Sequence, residues 1–213
     1  MITHHPDETL VVEYVCGVCD EPTSLIVATH LHFCSSCRAD AAQIQSIGGN
    51  LLSELEPQAL AADALDKVLA RLDEITPYER ERRSTSQDGT PGVLKPYLGG
   101  ELEAVVWRKI GPRLSYVPLL RRGSVVARLL RGVPGAESGM HTHAGVEYTL
   151  VLKGGYTDET GSYAPGDLQV MAKGLRHNPI ADPGEDCINL AVTTGRLKFD
   201  NVIQKIAAPL FGF

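Results

Sequence analysis

The chain has 213 residues, of which 43% are hydrophobic and 22% charged, an ordinary balance for a globular protein with room for one large domain or two small ones. No apolar run approaches the roughly 20 residues of a membrane span, and the opening MITHHPDETL has neither the basic nor the apolar region of a signal peptide, so a cytoplasmic protein with no membrane partner is expected. The net charge of −6, with no Lys/Arg-rich block, argues against direct binding of nucleic acid, whose phosphates require clustered cations.

The first 75 residues carry helical signals. Asp7 is placed to cap a helix through ETLVVEYVCG, which Gly17 and Asp20 end. Glu21-Pro22 then opens a second helix through PTSLIVATHLHF, since proline is tolerated in a first turn. Ser35 or Ser36 is expected to cap a third helix through CRADAAQIQSI, with Gly48-Gly49 as its stop. In a fourth, Leu65, Val68, Leu69 and Leu72 fall at i, i+3, i+4, i+7. Four short helices enclose only a small core, and a metal is one way to staple it. Leu10, Val11, Tyr14, Leu25 and Ile26 fit either that core or a partner's surface.

The stretch ATHLHFCSSCR holds two histidines and two cysteines within eight positions. On a helix, His30, Cys34 and Cys37 fall within about 60° of one face, while His32 points away. Imidazole and thiolate donors suit tetrahedral zinc. Two sources for a fourth ligand remain: Cys16/Cys19, or a histidine of the His4-His5 pair. Fourteen residues separate the cysteine pair from Cys34, a little short of usual zinc-ribbon spacing. It would also discard His30. His32 and the unused member of the histidine pair are expected on the solvated surface. In a reducing compartment the five cysteines read as ligands or buried thiols, not disulfides.

Residues 76–94, TPYERERRSTSQDGTPGVL, are polar and without periodicity, and read as a linker between domains 1–75 and 95–213. From Lys95 the chain changes to short apolar runs broken by glycine and proline, the pattern of an antiparallel sandwich or barrel. Within it, Gly135 to Gly154 spells G-x5-H-x-H-x3-E-x6-G. His141 and His143 alternate along a strand and point to the same side, Glu147 returns on the next strand, and His177 follows about 30 residues later. This run resembles the first cupin motif, and His141, His143, Glu147 and His177 form an N3O donor set that suits zinc, iron, manganese or nickel. Tyr148 is expected to face away from Glu147, with Met140, Met171 and Cys187 near the site or in plain core.

The phrase HHPDETLVVEYVCGVCDEPTSLIVATHLHFCSSCR resembles the start of the ChrR-type zinc-dependent anti-sigma factors. The likeness covers essentially the whole chain, because that family also carries a C-terminal cupin. It implies an α+β multidomain protein, a small zinc-stapled helical bundle followed by an antiparallel β-barrel. Position for position, it implies His5, His30, Cys34 and Cys37 as the N-terminal zinc ligands. It further implies an extracytoplasmic-function sigma factor as the inhibited partner and a cupin that mediates the response to oxidative stress such as singlet oxygen. Cys16 and Cys19 depart from the family pattern, which has small or apolar residues there. The competing reading is a metal-dependent cupin dioxygenase or isomerase with an accessory zinc domain. The N-terminal module favours the regulator, since stand-alone cupin enzymes rarely need one.

Overall fold

The structure, a computed structural model, describes residues 1–72 and 89–199. Residues 76–88 of the expected linker, and everything after 199, lie outside the described residues.

Four helices occupy the N-terminal part: α1 Glu8–Val15, α2 Glu21–Phe33, α3 Ser35–Ser53 and α4 Ala64–Leu72. Asp7 caps α1 by accepting from the Leu10 amide at 2.8 Å, and Asp20 caps α2 by accepting from Thr23 at 2.9 Å. The start of α3 differs from expectation. Neither Ser35 nor Ser36 is its cap; both lie inside the first turn, and the Cys34 thiol accepts from the Cys37 amide at 3.5 Å. Cys34 itself is extended, with φ −97° and ψ 109°, so α2 and α3 are separate helices and the His30–Cys37 stretch is not one continuous face. Gly48-Gly49 does not stop α3, which continues to Ser53. Glycine inside a helix costs only about 1 kcal/mol each, and Asn50, Leu51 and Leu52 carry the helix on toward Pro57.

A short helix α5, Lys95–Leu98, leads into twelve strands among the described residues. These are β1 Arg108–Lys109, β2 Leu114–Arg122, β3 Val125–Gly132, β4 His141–His143, β5 Glu147–Lys153 and β6 Tyr156–Asp158. They continue with β7 Gly161–Tyr163, β8 Leu168–Met171, β9 Arg176–His177, β10 Ile180–Ala181, β11 Cys187–Thr193 and β12 Leu197–Phe199. All pair antiparallel, in one sheet of order β1-β2-β3-β11-β5-β8 and two small sheets, β10-β6-β7 and β12-β4-β9.

The large sheet is buried on both faces, and the period of two along each strand sorts its side chains. Ala127, Leu129, Leu150, Leu168, Leu190 and Val192 join one apolar cluster with Leu10 of α1 and Leu25, Ile26 and Val27 of α2. Tyr148 packs on that cluster too, while Glu147 faces the other side, as the alternation requires. The helices therefore do not close a four-helix core of their own. Their apolar stripe lies on the outer face of the sheet, and fully burying a side chain such as Ile26 contributes about 1.5–3 kcal/mol. At the edge of this contact, Glu21 of α2 accepts from the Tyr97 hydroxyl at 3.0 Å and pairs with Arg122. By contrast, α4 buries none of its residues. Among the described residues no helix is long and apolar enough to cross a membrane.

Candidate metal centres

Two four-residue groups bring their donor atoms within 4.8 Å of one another: His5, His30, Cys34 and Cys37; and His141, His143, Glu147 and His177. Cys16 and Cys19 belong to neither group; Cys16 is exposed and Cys19 half-buried. His4 and His32 also stay outside. They are half-buried at the surface, where His4 packs on the Tyr163 ring at 4.4 Å and His32 on Phe33 at 5.2 Å.

In the N-terminal group, His5 comes from the segment before α1, His30 from the last turn of α2, and the cysteines from the start of α3. The break at Cys34 turns its thiol toward Cys37. The His5 Nδ1 lies 3.4 Å from Cys34 Sγ and 3.2 Å from Cys37 Sγ. Tetrahedral bonds of about 2.0–2.3 Å to zinc place ligand atoms roughly 3.3–3.8 Å apart; the first spacing falls in that range and the second just short of it. His30 supplies a second mark. Its Nδ1–H donates to the Gly166 carbonyl at 2.9 Å, which leaves Nε2 as the lone-pair nitrogen. That Nε2 is buried and has no hydrogen-bond partner among the described residues. Burial pushes the His30 imidazole down to about 4, partly offset by Gly166, so it stays neutral and ready to ligate. The thiols split. Burial opposes ionisation of Cys34, but donors from Cys37 and Ser36 outweigh it and bring its pKa down. Burial and the neighbouring Cys34 push Cys37 up to about 12. One thiolate is accommodated; a second calls for a cation.

In the second group, β4 presents His141 and His143, β5 begins with Glu147, and β9 ends with His177; all four are buried. His141 Nδ1–H donates to the Gly139 carbonyl at 2.7 Å, and His177 Nδ1–H to Asp158 Oδ2 at 2.9 Å. The Nε2 atoms of His143 and His177 then meet at 3.1 Å, and Glu147 Oε2 lies 3.0 Å and 3.5 Å from them. Lone pairs converging in a buried place fit a cation. Burial opposes ionisation of Glu147, yet contact with the His143 and His177 imidazoles holds its carboxyl well below the usual carboxylate range. Burial likewise pushes the His141 imidazole down to about 4, against the opposing pull of Glu147.

Sequence reasoning missed the partners that orient these ligands. Asp158 accepts from His177, from the Thr160 amide at 2.8 Å and hydroxyl at 2.6 Å, and from Gln169 Nε2 at 2.7 Å. Such carboxylate–histidine pairs fix ring orientation and raise ligand basicity. Met171 is buried opposite Glu147 in register, and Cys187 lies in a second apolar cluster with Tyr156 and Tyr163.

Comparison with known proteins agrees with this layout. A family model described as the ChrR cupin-like domain matches residues 98–198. The anti-sigma-E factor ChrR of Cereibacter sphaeroides is 39% identical over 212 residues, covering 99% of this chain and 98% of that one. The crystal structure of Rhodobacter sphaeroides SigE in complex with the anti-sigma ChrR matches with a TM-score of 0.78 at 39% identity, over 91% of this chain and 100% of that chain. An identity of this size, held across both the helical and the cupin halves, makes the chain a member of the ChrR family of anti-sigma factors.

Proposed function

We propose that the chain binds and inhibits an extracytoplasmic-function sigma factor. Residues 1–75 form the inhibitory domain, 76–94 the linker, and 95–213 a metal-binding cupin through which oxidative stress such as singlet oxygen is sensed. One observation carries the reading. The chain shares 39% identity over nearly its full length with ChrR and matches the structure of ChrR in complex with SigE, and its helical part keeps apolar faces uncovered. Leu65, Val68, Leu69 and Leu72 of α4 are 67%, 60%, 50% and 55% exposed, and Ile47, Leu51 and Leu52 of α3 are exposed as well. An amphipathic helix with its apolar side in water is suited to a helical partner. Leu10, Val11, Leu25 and Ile26 are buried within the chain itself.

His5, His30, Cys34 and Cys37 would hold a zinc whose role is structural, since four protein ligands leave no open position. It would tie the N-terminal segment, α2 and α3 together, and its removal would unfold them. His141, His143, Glu147 and His177 would hold the cupin metal, zinc or another divalent ion. Such an ion would supply Lewis-acid chemistry, while Asp158 holds the His177 ring in place. A small molecule or oxidant acts as a signal only through a different affinity for the sigma-bound and sigma-free states.

The test is transcription in vitro by RNA polymerase with a sigma factor of the SigE type, the partner in the matched complex. The full chain is expected to abolish it in one-to-one complex, and Cys37→Ala to restore it. Undiminished transcription at saturating wild-type chain would sink the proposal.

A further inference from the structure

The cupin turn at residues 164–168 reaches back to the N-terminal metal site. Asp167 Oδ1 accepts from the amides of Thr3 at 2.7 Å and His4 at 2.9 Å, and its Oδ2 accepts from Ala164 at 2.9 Å. The Leu168 amide donates to the His4 carbonyl at 3.0 Å. These bonds fix the backbone immediately before His5. The Gly166 carbonyl accepts from His30 Nδ1–H and so fixes the ring and tautomer of the second imidazole. Gly166 has φ +93°, and a Cβ there would stand 2.6 Å from Ile2 Cδ1 and 3.1 Å from Phe33 Cβ. A side chain would thus displace Ile2, in the segment that carries His5, and crowd Phe33 at the end of α2. The cupin orients the His30 ring directly and holds the backbone immediately before His5.

The same stretch of cupin also touches the other group. Asp158 receives His177 Nδ1–H, and the Thr160 hydroxyl donates to Asp158 at 2.6 Å and lies 2.7 Å from the Tyr163 hydroxyl. The Tyr163 ring then packs on the ring of His4. A contiguous set of contacts joins His177 to the residue that precedes His5.

We infer that residues 158–168 are a common outer shell for both metal centres. Gly166 and Asp167 are positioning residues for the N-terminal site, and Asp158, Thr160 and Tyr163 make its metal retention depend on occupancy of the cupin site. The inference rests on the proposal that both sites hold metal, and it names how the cupin reaches the inhibitory domain. Linkage makes the dependence reciprocal.

The test uses the full chain loaded with zinc. Metal loss from the N-terminal site is followed as alkylation of Cys34 and Cys37 under a fixed excess of chelator, with peptides resolved by mass. Asp167→Ala is expected to speed alkylation about 10–100-fold, the usual effect of losing an outer-shell partner. Asp167→Asn, which keeps an acceptor, should restore most of the protection. Gly166→Val should act like Asp167→Ala by displacing the segment before His5. Removing a cupin ligand with His141→Ala should also speed alkylation, and that increment should vanish in a Thr160→Val background.

Unchanged rates in both Asp167→Ala and Gly166→Val overturn the positioning role. An unchanged rate in His141→Ala, or one indifferent to Thr160, overturns the connection between sites. If the wild-type cysteines react without chelator as fast as in denaturant, the N-terminal site holds no metal, and the site reading falls along with the inference. The sigma-binding proposal is judged separately by the transcription measurement.

Discussion

Asp167 shows how much one side chain does at the junction of the two halves. Burial opposes its ionisation, but the backbone N–H groups of Ala164, Thr3 and His4 hold its carboxyl below the usual range. A carboxylate with a depressed pKa contributes stability that is fully present above the unfolded value of about 3.9 and is lost as pH falls through the folded value. Asp167→Ala should therefore cost about 2 kcal/mol near pH 6, as expected for hydrogen bonds to a charged group. The gap to wild type should close as pH drops below about 4. Urea midpoints measured from pH 6 to pH 3 check this, and a gap that does not change with pH would contradict it. None of this was readable in the sequence. Asp167 and Thr3 are 164 positions apart, and only the closed fold brings them together. His141, His143 and Glu147 were readable because strand alternation and one short turn suffice to gather them. The orienting roles of Asp158 and Gly166 depend, like Asp167, on which loop the fold lays beside which ligand.

At the scale of elements, α1 was visible where the Asp7 cap and the apolar period coincided, and α2 from the proline in its first turn, while the capping role of Asp20 was hidden because the same residue also reads as the end of α1. The end of α2 at Phe33 and the start of α3 within a residue or two were visible as well, but the cap was not, because a cysteine that caps a helix with its own sulfur gives no ordinary start signal. The role of α2 was hidden for a different reason. Apolar spacing identifies a buried face but not what covers it, and here the cover is the outer face of the β3-β11-β5 sheet. Because Ile26 is fully buried in the cluster that both halves share, Ile26→Ala should cost roughly 2–5 kcal/mol. It should lower the helical and sheet transitions together. Far-ultraviolet circular dichroism can report the helices, and fluorescence of Trp107, the one tryptophan, the sheet that it packs against. Separation of the two transitions in the wild type would show that the shared cluster does not couple them.

On the scale of the whole molecule, the chain divides its apolar surface between two uses. The stripe on α1 and α2 is spent internally against the cupin, whereas α4 and the end of α3 leave theirs in water. These faces answer to different measurements. Side chains half or more exposed in the free chain change stability little, within about 0.5 kcal/mol each, but become anchors if a partner buries them. The double substitution Leu65→Ser and Leu69→Ser should thus leave the melting temperature nearly unchanged, while weakening the sigma complex by at least about tenfold, or 1.4 kcal/mol. Ile26→Ala should do the reverse, lowering the melting temperature and reducing sigma binding only so far as the chain unfolds. Calorimetric titration of each variant into the sigma factor, beside its melting curve, separates the two. Wild-type affinity in the α4 variant would move the interface away from α4. An equal loss of affinity in Ile26→Ala at temperatures where it is folded would mean that the sigma factor engages the helices only after they leave the cupin, on the same face of α2 that now packs against the sheet.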